Sequence, residues 1–462
     1  MAALAPPTPS RTTVERGVLS TIDTIVAIAT PPGRGGLGVV RLAGPEAHDI
    51  VRQLIHREAP LQPRHATLST LGERSHAPVD QVVVTYFAAP ASYTGGDVVE
   101  ISAHGSPVVL KTIVTRAMDC GARLAERGEF TLRAFLNGRI DLTQAEAVAD
   151  LIDAVTPLQA RAAFDQLNGT LTGKIAAIDA SLFDLIARLE ASVDFPEEGY
   201  HFVEPGELAV TIDEILEKTS ALLRDARRGR IVREGLQVAI VGAPNVGKSS
   251  LFNTLVGASR TIVDDTPGTT RDLVSETIDL RGLRVTLVDT AGLRSADDHV
   301  ELEGVSRAMQ AARVADLLLV VWDRSAPLDT VARLSDTETP RLVVANKSDL
   351  PARWEYPEAI AVSARTGDGV EYLRDRIVEA LDIELTAERP EITNIRHIAL
   401  VERADGALRR ARAAAWAAGR SMSEEFVLAD LQDARAAFEE VVGRRAPDDV
   451  LAHIFERFCV GK

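Results

Sequence analysis

The stretch LQVAIVGAPNVGKSSLFNTLVG, residues 236–257, joins an apolar run to a helix-like run through a loop that contains two glycines. The apolar run predicts a buried strand, and the second run predicts a helix that begins directly after the loop. Glycines allow backbone amides to point at an anion, and the helix N-terminus adds positive potential. The segment GAPNVGKS therefore predicts a phosphate-binding loop, in which Lys248 reaches the β- and γ-phosphates and Ser249 binds magnesium.

Three motifs further along the chain indicate which nucleotide this loop holds. DTPGTTRD offers Thr269 and Thr270, where a threonine hydroxyl completes the magnesium shell and senses the γ-phosphate. VTLVDTAG ends a strand with Asp289 near the metal and places the Gly292 amide at the γ-phosphate. RLVVANKSD ends with Asp349, whose carboxylate accepts two hydrogen bonds from guanine, whereas adenine offers neither donor. The order of these motifs predicts a GTP-binding domain.

AVSA, residues 361–364, stands where the fifth guanine-nucleotide motif usually lies, close to the base. The residues predicted to form the nucleotide site are Asn245, Val246, Gly247, Lys248, Ser249, Ser250, Asp264, Asp265, Thr266, Pro267, Gly268, Thr269, Thr270, Asp289, Thr290, Ala291, Gly292, Asn346, Lys347, Asp349, Ser363 and Ala364.

Two positions bear on how the γ-phosphate is attacked. Leu293 follows DTAG, where small Ras-like GTPases carry the glutamine that orients the attacking water, so another group must orient it here. The side-chain carbonyl of Asn245 could bind a monovalent cation beside the phosphates, where an arginine finger would otherwise stabilise the developing charge. The alternative is an amide that only stabilises the loop, and spacing alone favours it.

The composition limits the class of protein. A chain of 462 residues suggests roughly three domains of about 150 residues each. The longest apolar runs, such as ADLLLVVW from Ala315, have the length of a strand, so we expect no membrane span. Two cysteines argue against a disulfide scaffold and fit a reducing cytoplasm. A net charge of -16 disfavours indiscriminate nucleic-acid binding, so any RNA contact must be local.

The periodicity of the chain predicts its organisation. Short β-rich stretches with one helix-like run predict an α+β domain, and the next segment has the spacing of helices. Strands and helices then alternate, which predicts a doubly wound, mostly parallel sheet, before the chain returns to helix. The predicted boundaries are a disordered extension at 1–18, the α+β domain at 19–138, a helical domain at 139–231 and 385–462, and an α/β domain inserted into it at 232–384.

From Asp23 to its last residue the chain resembles the MnmE, or TrmE, family of tRNA modification GTPases. The resemblance rests on DTIVAIATPPGRGGLGVVRLAG from Asp23, GEFTLRAFLNGRIDLTQAEAVADLI from Gly128, GAPNVGKSSLFNTL, IVDDTPGTTRD, DTAGLR and the final CVGK. It implies an N-terminal α+β domain that dimerises and binds a folate, a helical domain, and a Ras-like P-loop GTPase domain inserted into the helical domain.

The resemblance also implies roles for individual residues. Glu301 orients the attacking water, whereas the motifs themselves already assign a catalytic role to Lys248 and magnesium binding to Ser249 and Thr270. The residues implied to bind potassium are Asn245, Asp264, Thr266 and Thr269, and those implied to contact folate are Arg41, Glu100, Arg139 and Lys462. Arg139 departs from the family pattern, because a related sequence carries lysine there. The positive charge is retained, but a planar guanidinium with paired N–H donors replaces a compact ammonium group.

In this family, GTP hydrolysis accompanies the addition of a carboxymethylaminomethyl-type group to carbon 5 of a wobble uridine in certain tRNAs. The resemblance implies a folate one-carbon donor, 5-formyl- or methylene-tetrahydrofolate, and an FAD-dependent partner, MnmG or GidA. It also implies a homodimer and a heterotetramer with that partner. Two rival functions remain: a regulatory GTPase switch in ribosome assembly, and a folate one-carbon enzyme in which the GTPase domain is a structural insert.

The role of Cys459 and the role of two arginine clusters each have two alternative interpretations. Cys459 lies near the implied folate site, which favours a catalytic thiol, but the stripe Leu451, Ile454, Phe455 and Phe458 favours a small core residue beside a final helix. The arginine cluster RDARRGRIVR from Arg224 and the group Arg409, Arg410 and Arg412 are each candidates for tRNA contact or for solvated helix faces.

Overall fold

The computed structural model describes residues 22–72, 78–194, 205–258, 274–289, 315–327, 339–381, 390–417 and 424–462. The chain divides into two compact units. The N-terminal unit comprises residues 1–145 and 446–462, and the central unit comprises residues 146–445. Residues 446–462, which the sequence-based boundaries place in the second helical segment, thus pack with the N-terminal unit. The predicted extension at 1–18 lies outside the described residues.

The N-terminal unit is built on a six-stranded sheet in the order β3-β4-β5-β2-β1-β6. The strands are antiparallel neighbours except for β1 and β6, which run parallel. The elements of this unit are β1 Ile25–Ile28, β2 Gly35–Ala43, α1 Ala47–Leu54, β3 Ala66–Leu71, β4 Asp80–Phe87, β5 Val98–Gly105, α2 Pro107–Asp119, β6 Arg123–Leu124, α3 Glu129–Leu136 and α13 Asp448–Glu456, with α4 Leu142–Ile152 leading into the central unit. This confirms the predicted α+β fold.

Helices α1 and α2 bury their apolar faces against one side of this sheet. Ile50 of α1 and Ile113 of α2 pack with Leu42 and Ile101 of the strands in one core. A Cβ atom on Gly38 would lie 2.6 Å from Leu110 Cδ1, so any larger residue at position 38 would require the Leu110 side chain of α2 to shift.

The motif that begins at Gly128 forms a buried ion-pair network. Glu129 is fully buried, and its Oε1 accepts hydrogen bonds from Arg123 Nη2 at 2.6 Å and Arg133 Nη2 at 2.8 Å. Both arginines also bond the Asp23 carboxylate, at 2.7 and 2.5 Å. Because a buried carboxylate needs partners for every lone pair, these residues specify the packing of α3 against the start of β1. This part of the motif therefore has a structural role.

The α/β part of the central unit is a six-stranded sheet in the order β12-β11-β10-β7-β9-β8. Neighbouring strands are parallel except β8, which runs antiparallel to β9. Its described elements are β7 Leu236–Val241, α9 Lys248–Gly257, β8 Val274–Leu280, β9 Leu283–Asp289, β10 Leu317–Asp323, β11 Arg341–Asn346, β12 Ile360–Ala361 and α10 Val370–Ala380. The order confirms the predicted mostly parallel, doubly wound sheet.

The helical part of the central unit surrounds this α/β segment in sequence. Its helices are α5 Pro157–Leu167, α6 Thr170–Asp194, α7 Pro205–Arg224, α8 Ala226–Glu234, α11 Ile395–Ala417 and α12 Glu424–Val441. Leu182, Ile212, Leu408 and Phe438 pack in its core. The helical spacing after Thr143 spans several helices, because Thr156 caps α5 and Gly169, with φ 80°, separates α5 from α6. In the described ranges, every helix is too short or too polar to cross a bilayer.

A buried charge cluster joins three helices of the central unit. The Glu146 carboxylate on α4 accepts bonds from Arg396 Nε and Nη2 at 3.0 and 2.8 Å and lies 2.5 Å from His397 Nε2. Arg396 also donates to the Glu440 and Val441 carbonyls at the end of α12. Burial raises the pKa of Glu146, but attraction to His397 and the hydrogen bonds outweigh it and hold the pKa well below its ordinary 4.5. The cluster fixes α4 against α11 and α12.

Candidate functional sites

The phosphate-binding loop connects β7 to α9 as the sequence predicts. Asn245 and Gly247 have φ of 63° and 95°, so the backbone turns through two left-handed positions before the helix. A Cβ atom on Gly247 would lie 2.3 Å from Asn346 Nδ2, and one on Gly242 would lie 2.3 Å from the Val321 carbonyl. Both glycines are thus required by close approach as well as by φ. The loop presents its amides at the N-terminus of α9.

Lys248 is held inside this loop. Its side chain is buried and donates to the carbonyls of Gly242 at 3.0 Å and Ala243 at 2.8 Å. Burial lowers the pKa of Lys248, and the Asp289 carboxylate opposes that shift. Asp289 is itself buried, at the end of β9 beside β7. A desolvated ammonium at a helix N-terminus is stabilised by an anion, so the residues fit a bound phosphate.

Asn346 and Lys347 tie the end of β11 to the phosphate loop. The buried Asn346 amide donates to the Val246 carbonyl at 2.8 Å and accepts from the Ala364 amide at 3.1 Å. Lys347 Nζ donates to the Asn245 carbonyl at 3.0 Å. The motifs predicted for phosphate and for base recognition are therefore joined by direct hydrogen bonds.

Asp349 lies exposed at the same edge of the sheet. Its Oδ1 accepts a hydrogen bond from Ser363 Oγ at 2.8 Å, and Ser363 Oγ accepts one from the Thr366 amide at 3.2 Å. Ser363 is fully buried, so its hydroxyl is a fixed donor. The carboxylate is thereby oriented while its outer face stays accessible to the ring NH and exocyclic amine of guanine.

Sequence reasoning missed two residues that support this site. Lys347 Nζ forms an ion pair with Asp323 Oδ2 at 2.6 Å, and Trp354 Nε1 donates to the Asp323 carbonyl at 2.9 Å. Asp323 ends β10 directly opposite Asn346 at the end of β11. Because parallel strands end at one edge of a sheet, the apolar run LLLVVWD was a usable signal for Asp323. No comparable signal marked Trp354.

Other predicted nucleotide residues are only partly described. Ser249 and Ser250 are exposed in the first turn of α9, and the Asn245 side chain is exposed in the loop. The residues that lie outside the described ranges are Asp264, Asp265, Thr266, Pro267, Gly268, Thr269, Thr270, Thr290, Ala291, Gly292, Leu293 and Glu301.

A second site lies in the N-terminal unit around Arg41. Arg41 on β2 and Glu100 on β5 are cross-strand partners, and Arg41 Nε and Nη2 donate to Glu100 Oε1 at 2.9 and 2.8 Å. The guanidinium carbon lies 5.6 Å from the Tyr93 ring centroid and 5.7 Å from that of Phe130. The structure thus places a fixed cation, a carboxylate and two aromatic rings together. Sequence reasoning missed Tyr93 and Phe130.

The last residues of the chain reach this site. Arg41 Nη1 donates to the Gly461 carbonyl at 3.3 Å, and the Phe130 amide donates to the Lys462 carbonyl at 3.1 Å. A Cβ atom on Gly461, at φ 100°, would lie 2.3 Å from the Ile28 carbonyl. Burial lowers the pKa of Lys462, and Arg41 lowers it further, whereas Glu100 opposes the shift. The predicted grouping of Arg41, Glu100 and Lys462 is therefore present.

Arg139 and Cys459, unlike Arg41, Glu100 and Lys462, are exposed. Arg139 is exposed and passes over Gly95, where an added Cβ atom would lie 3.0 Å from Arg139 Cγ. Helix α13 ends at Glu456, and Cys459 is exposed beyond it. The stripe of Ile454, Phe455 and Phe458 is buried as expected, but Cys459 does not share its packing. The interpretation of Cys459 as a small core residue is wrong.

A mostly parallel sheet with a phosphate loop, the NKSD sequence bonded to that loop and a serine-oriented aspartate defines a guanine-nucleotide-binding P-loop GTPase. The chain also matches two family models, the MnmE helical domain over residues 142–459 and the GTP-binding protein TrmE N-terminus over residues 24–139. The chain belongs to the MnmE family of tRNA modification GTPases.

Relatives match along almost the whole chain. The tRNA modification GTPase MnmE of Koribacter versatilis is 45% identical over 457 residues, which cover 95% of this chain and 99% of the relative. A protein of that name from Thermus thermophilus is 43% identical over 443 residues, with 95% and 99% covered. The Aquifex aeolicus protein is 40% identical over 448 residues, with 95% and 100% covered.

Proposed function

We propose that the chain is a potassium-activated GTPase that, with an FAD-dependent partner of the MnmG type, adds a carboxymethylaminomethyl-type group to carbon 5 of the wobble uridine of certain tRNAs. The observation that carries the proposal is the direct bonding of the base-recognition residues to the phosphate loop, through Asn346 to Val246 and Lys347 to Asn245. These hydrogen bonds hold the residues that recognise the base in a fixed position relative to the loop that binds the phosphates. The reaction takes place in the cytoplasm.

GTP hydrolysis uses residues of the central unit. Lys248 binds the β- and γ-phosphates, Ser249 and Thr270 hold magnesium, and Glu301 orients the attacking water. The exposed hydroxyl of Ser249 at the start of α9, with Asp289 at the neighbouring strand end, fits a magnesium ion beside the phosphates. Magnesium supplies charge neutralisation on the phosphate oxygens.

A potassium ion supplies further positive charge beside the phosphates. Asn245 binds it, with Asp264, Thr266 and Thr269. The Asn245 carbonyl of the main chain accepts from Lys347, whereas its side-chain amide makes no hydrogen bond among the described residues and is exposed at a left-handed turn. A side-chain oxygen presented in this way fits the preference of hard cations for oxygen ligands.

The N-terminal unit binds the folate donor, 5-formyl- or methylene-tetrahydrofolate, which supplies the one-carbon unit. Arg41 and Lys462 provide positive charge, Glu100 provides acceptors, and the Tyr93 ring provides an apolar wall. Arg139, which is exposed beside Gly95, would supply a further positive charge to the folate. The charged and aromatic groups fit a ligand that combines a flat heterocycle with carboxylates.

The active assembly is a homodimer that forms a heterotetramer with the FAD-dependent partner. Loss of the γ-phosphate releases the segment around Thr269 and Thr270, which resets the complex after each turnover. The sequence-based boundaries assign folate binding and dimerisation to residues 19–138 and hydrolysis to residues 232–384.

Reconstitution tests this function. The purified chain, the FAD-dependent partner, GTP and a one-carbon folate are incubated with tRNA that carries unmodified uridine at the wobble position. Glycine is added because its amino group and carboxymethyl carbons have the composition of the rest of the carboxymethylaminomethyl group, and nucleosides are analysed by mass spectrometry. We expect the modified uridine with the native chain and not with Lys248→Ala, because that variant lacks the phosphate-binding ammonium. GTP hydrolysis without a tRNA product would support a regulatory switch instead. Full modification by Lys248→Ala would support a folate enzyme with a structural GTPase insert.

A further inference from the structure

The two arginine clusters that are candidates for tRNA contact differ in how their charges are neutralised. On α11, Arg409 pairs with Asp405 at 2.6 Å, and Arg410 pairs with Asp430 at 2.8 Å. Arg412 pairs with Asp213 of α7. Each guanidinium of this group is thus already matched by a carboxylate from α7, α11 or α12. The α11 group is a set of ion pairs between helices and adds little net positive charge.

The cluster around the start of α8 has the opposite character. Residues 224–233 contain five arginines and one acidic residue, Asp225. Arg224 at the end of α7 and Arg227 at the start of α8 are exposed and have no hydrogen-bond or ion-pair partner among the described residues. Arg230 forms an ion pair with the exposed Glu234 of its own helix, which water screens, and is also attracted by Asp316. On a chain with a net charge of -16, this segment keeps local positive charge.

Helix α8 is also held rigidly. Arg233 binds Asp150 through two hydrogen bonds, of 2.7 and 2.8 Å, and the Arg233 carbonyl accepts from Gln159 Nε2 at 3.0 Å. On the buried side, a Cβ atom on Gly229 would lie 1.8 Å from the Ile392 carbonyl, so the helix lies directly on that backbone. The backbone that carries Arg227 and Arg230 is therefore fixed, which lowers the entropy lost on binding.

We infer that Arg224, Arg227 and Arg230 form a contact surface for the phosphate backbone of tRNA. Exposed guanidinium groups bind phosphate through paired N–H donors. Arg224 and Arg227 have no partner to exchange among the described residues, and Arg230 has only a solvent-screened pair with Glu234 to give up. Contacts of this kind are independent of base sequence and position the RNA. The inference rests on the proposed function, because it takes tRNA as the substrate.

The test measures binding of fluorescently labelled tRNA to the full chain by anisotropy at several salt concentrations. We expect Arg224→Ala with Arg227→Ala to weaken binding about tenfold at low salt and to lower the slope of log affinity against log salt by about 1.5 to 2. The matched control, Arg410→Ala with Arg412→Ala, removes the same charge from α11 and stays within about twofold of the native chain. GTP turnover without tRNA is unchanged in both variants, which reports intact folding.

If the native chain and the Arg224→Ala, Arg227→Ala variant bind tRNA with equal affinity and equal salt dependence, these arginines do not contact tRNA. The proposed function would be unaffected by that result. A larger loss in the α11 control would also overturn this contact surface, in favour of the other cluster. Absence of tRNA binding by the native chain in the presence of its partner would contradict both the surface and the proposed function.

Discussion

Asp349→Asn converts the site from guanine to xanthine recognition. The carboxylate accepts from both the ring NH and the exocyclic amine of guanine, whereas an asparagine amide offers one acceptor and turns a donor toward the amine. The bond from the ring NH goes to a neutral acceptor, and the bond from the amine is replaced by a repulsive contact between two donors. At about 1.5 to 3 kcal/mol for each hydrogen bond to the charged group, we expect GTP affinity to fall about 100-fold to 10,000-fold. Xanthine carries an oxygen in place of the amine and matches the new donor, so affinity for XTP rises.

Competition of GTP and XTP for a fluorescent nucleotide measures this change. Ser363→Ala is the control, because it removes the hydroxyl that bonds Asp349 Oδ1 at 2.8 Å and keeps the carboxylate. We expect that variant to bind GTP about tenfold more weakly, with no gain for XTP. Unchanged selectivity of Asp349→Asn would show that Asp349 does not read the base.

Glu146→Gln destabilises the helical part of the central unit. The glutamine keeps the size of the side chain but leaves the buried His397 and the half-buried Arg396 without their carboxylate. Breaking a buried pair by removing one partner costs about 3 to 5 kcal/mol. We expect a loss of that size in the free energy of unfolding of this region at pH 7. The loss is measured by urea unfolding, with hydrogen exchange of the amides in α11 and α12 as the probe.

The pH dependence of this effect has a defined sign. The folded pKa of Glu146 lies below its ordinary value of 4.5, so the stabilisation is present above that value and is lost as pH falls through the folded pKa. The difference between the native chain and Glu146→Gln therefore shrinks below about pH 4.5. The exposed pair of Arg403 and Glu440 joins the same two helices, and Arg403→Ala is expected to cost under about 1 kcal/mol. Equal costs for the two variants would contradict the account of the buried cluster.

Local patterns in the sequence predicted those features that depend on neighbouring residues. The phosphate loop is read from one continuous segment, since its strand, glycines and helix start follow one another. The alternation of strands and helices likewise predicted the mostly parallel sheet. The grouping of Arg41 with Lys462 came from the family resemblance, because hundreds of residues separate them in sequence and periodicity carries no such pairing.

Features that depend on distant contacts were not predicted. The cluster of Glu146 and His397 joins helices from the two ends of the central unit, and no local pattern distinguishes His397 from a surface histidine. Tyr93 lies in a loop, and only the folded sheet brings its ring to Arg41. The interpretation of Cys459 as a core residue was wrong because the chain leaves the helix after Glu456, so the periodicity of the stripe no longer applies.

The measurement that tests the central claim most directly is GTP turnover by the purified chain in potassium chloride and in sodium chloride at equal ionic strength, with Asn245→Ala alongside. The account predicts strong activation by potassium, at least about tenfold, because a cation beside the phosphates stabilises the charge that develops in the transition state. Asn245→Ala removes the side-chain oxygen and is expected to abolish the activation while GDP still binds. Equal turnover in the two salts would contradict the potassium-dependent mechanism and support a conventional switch.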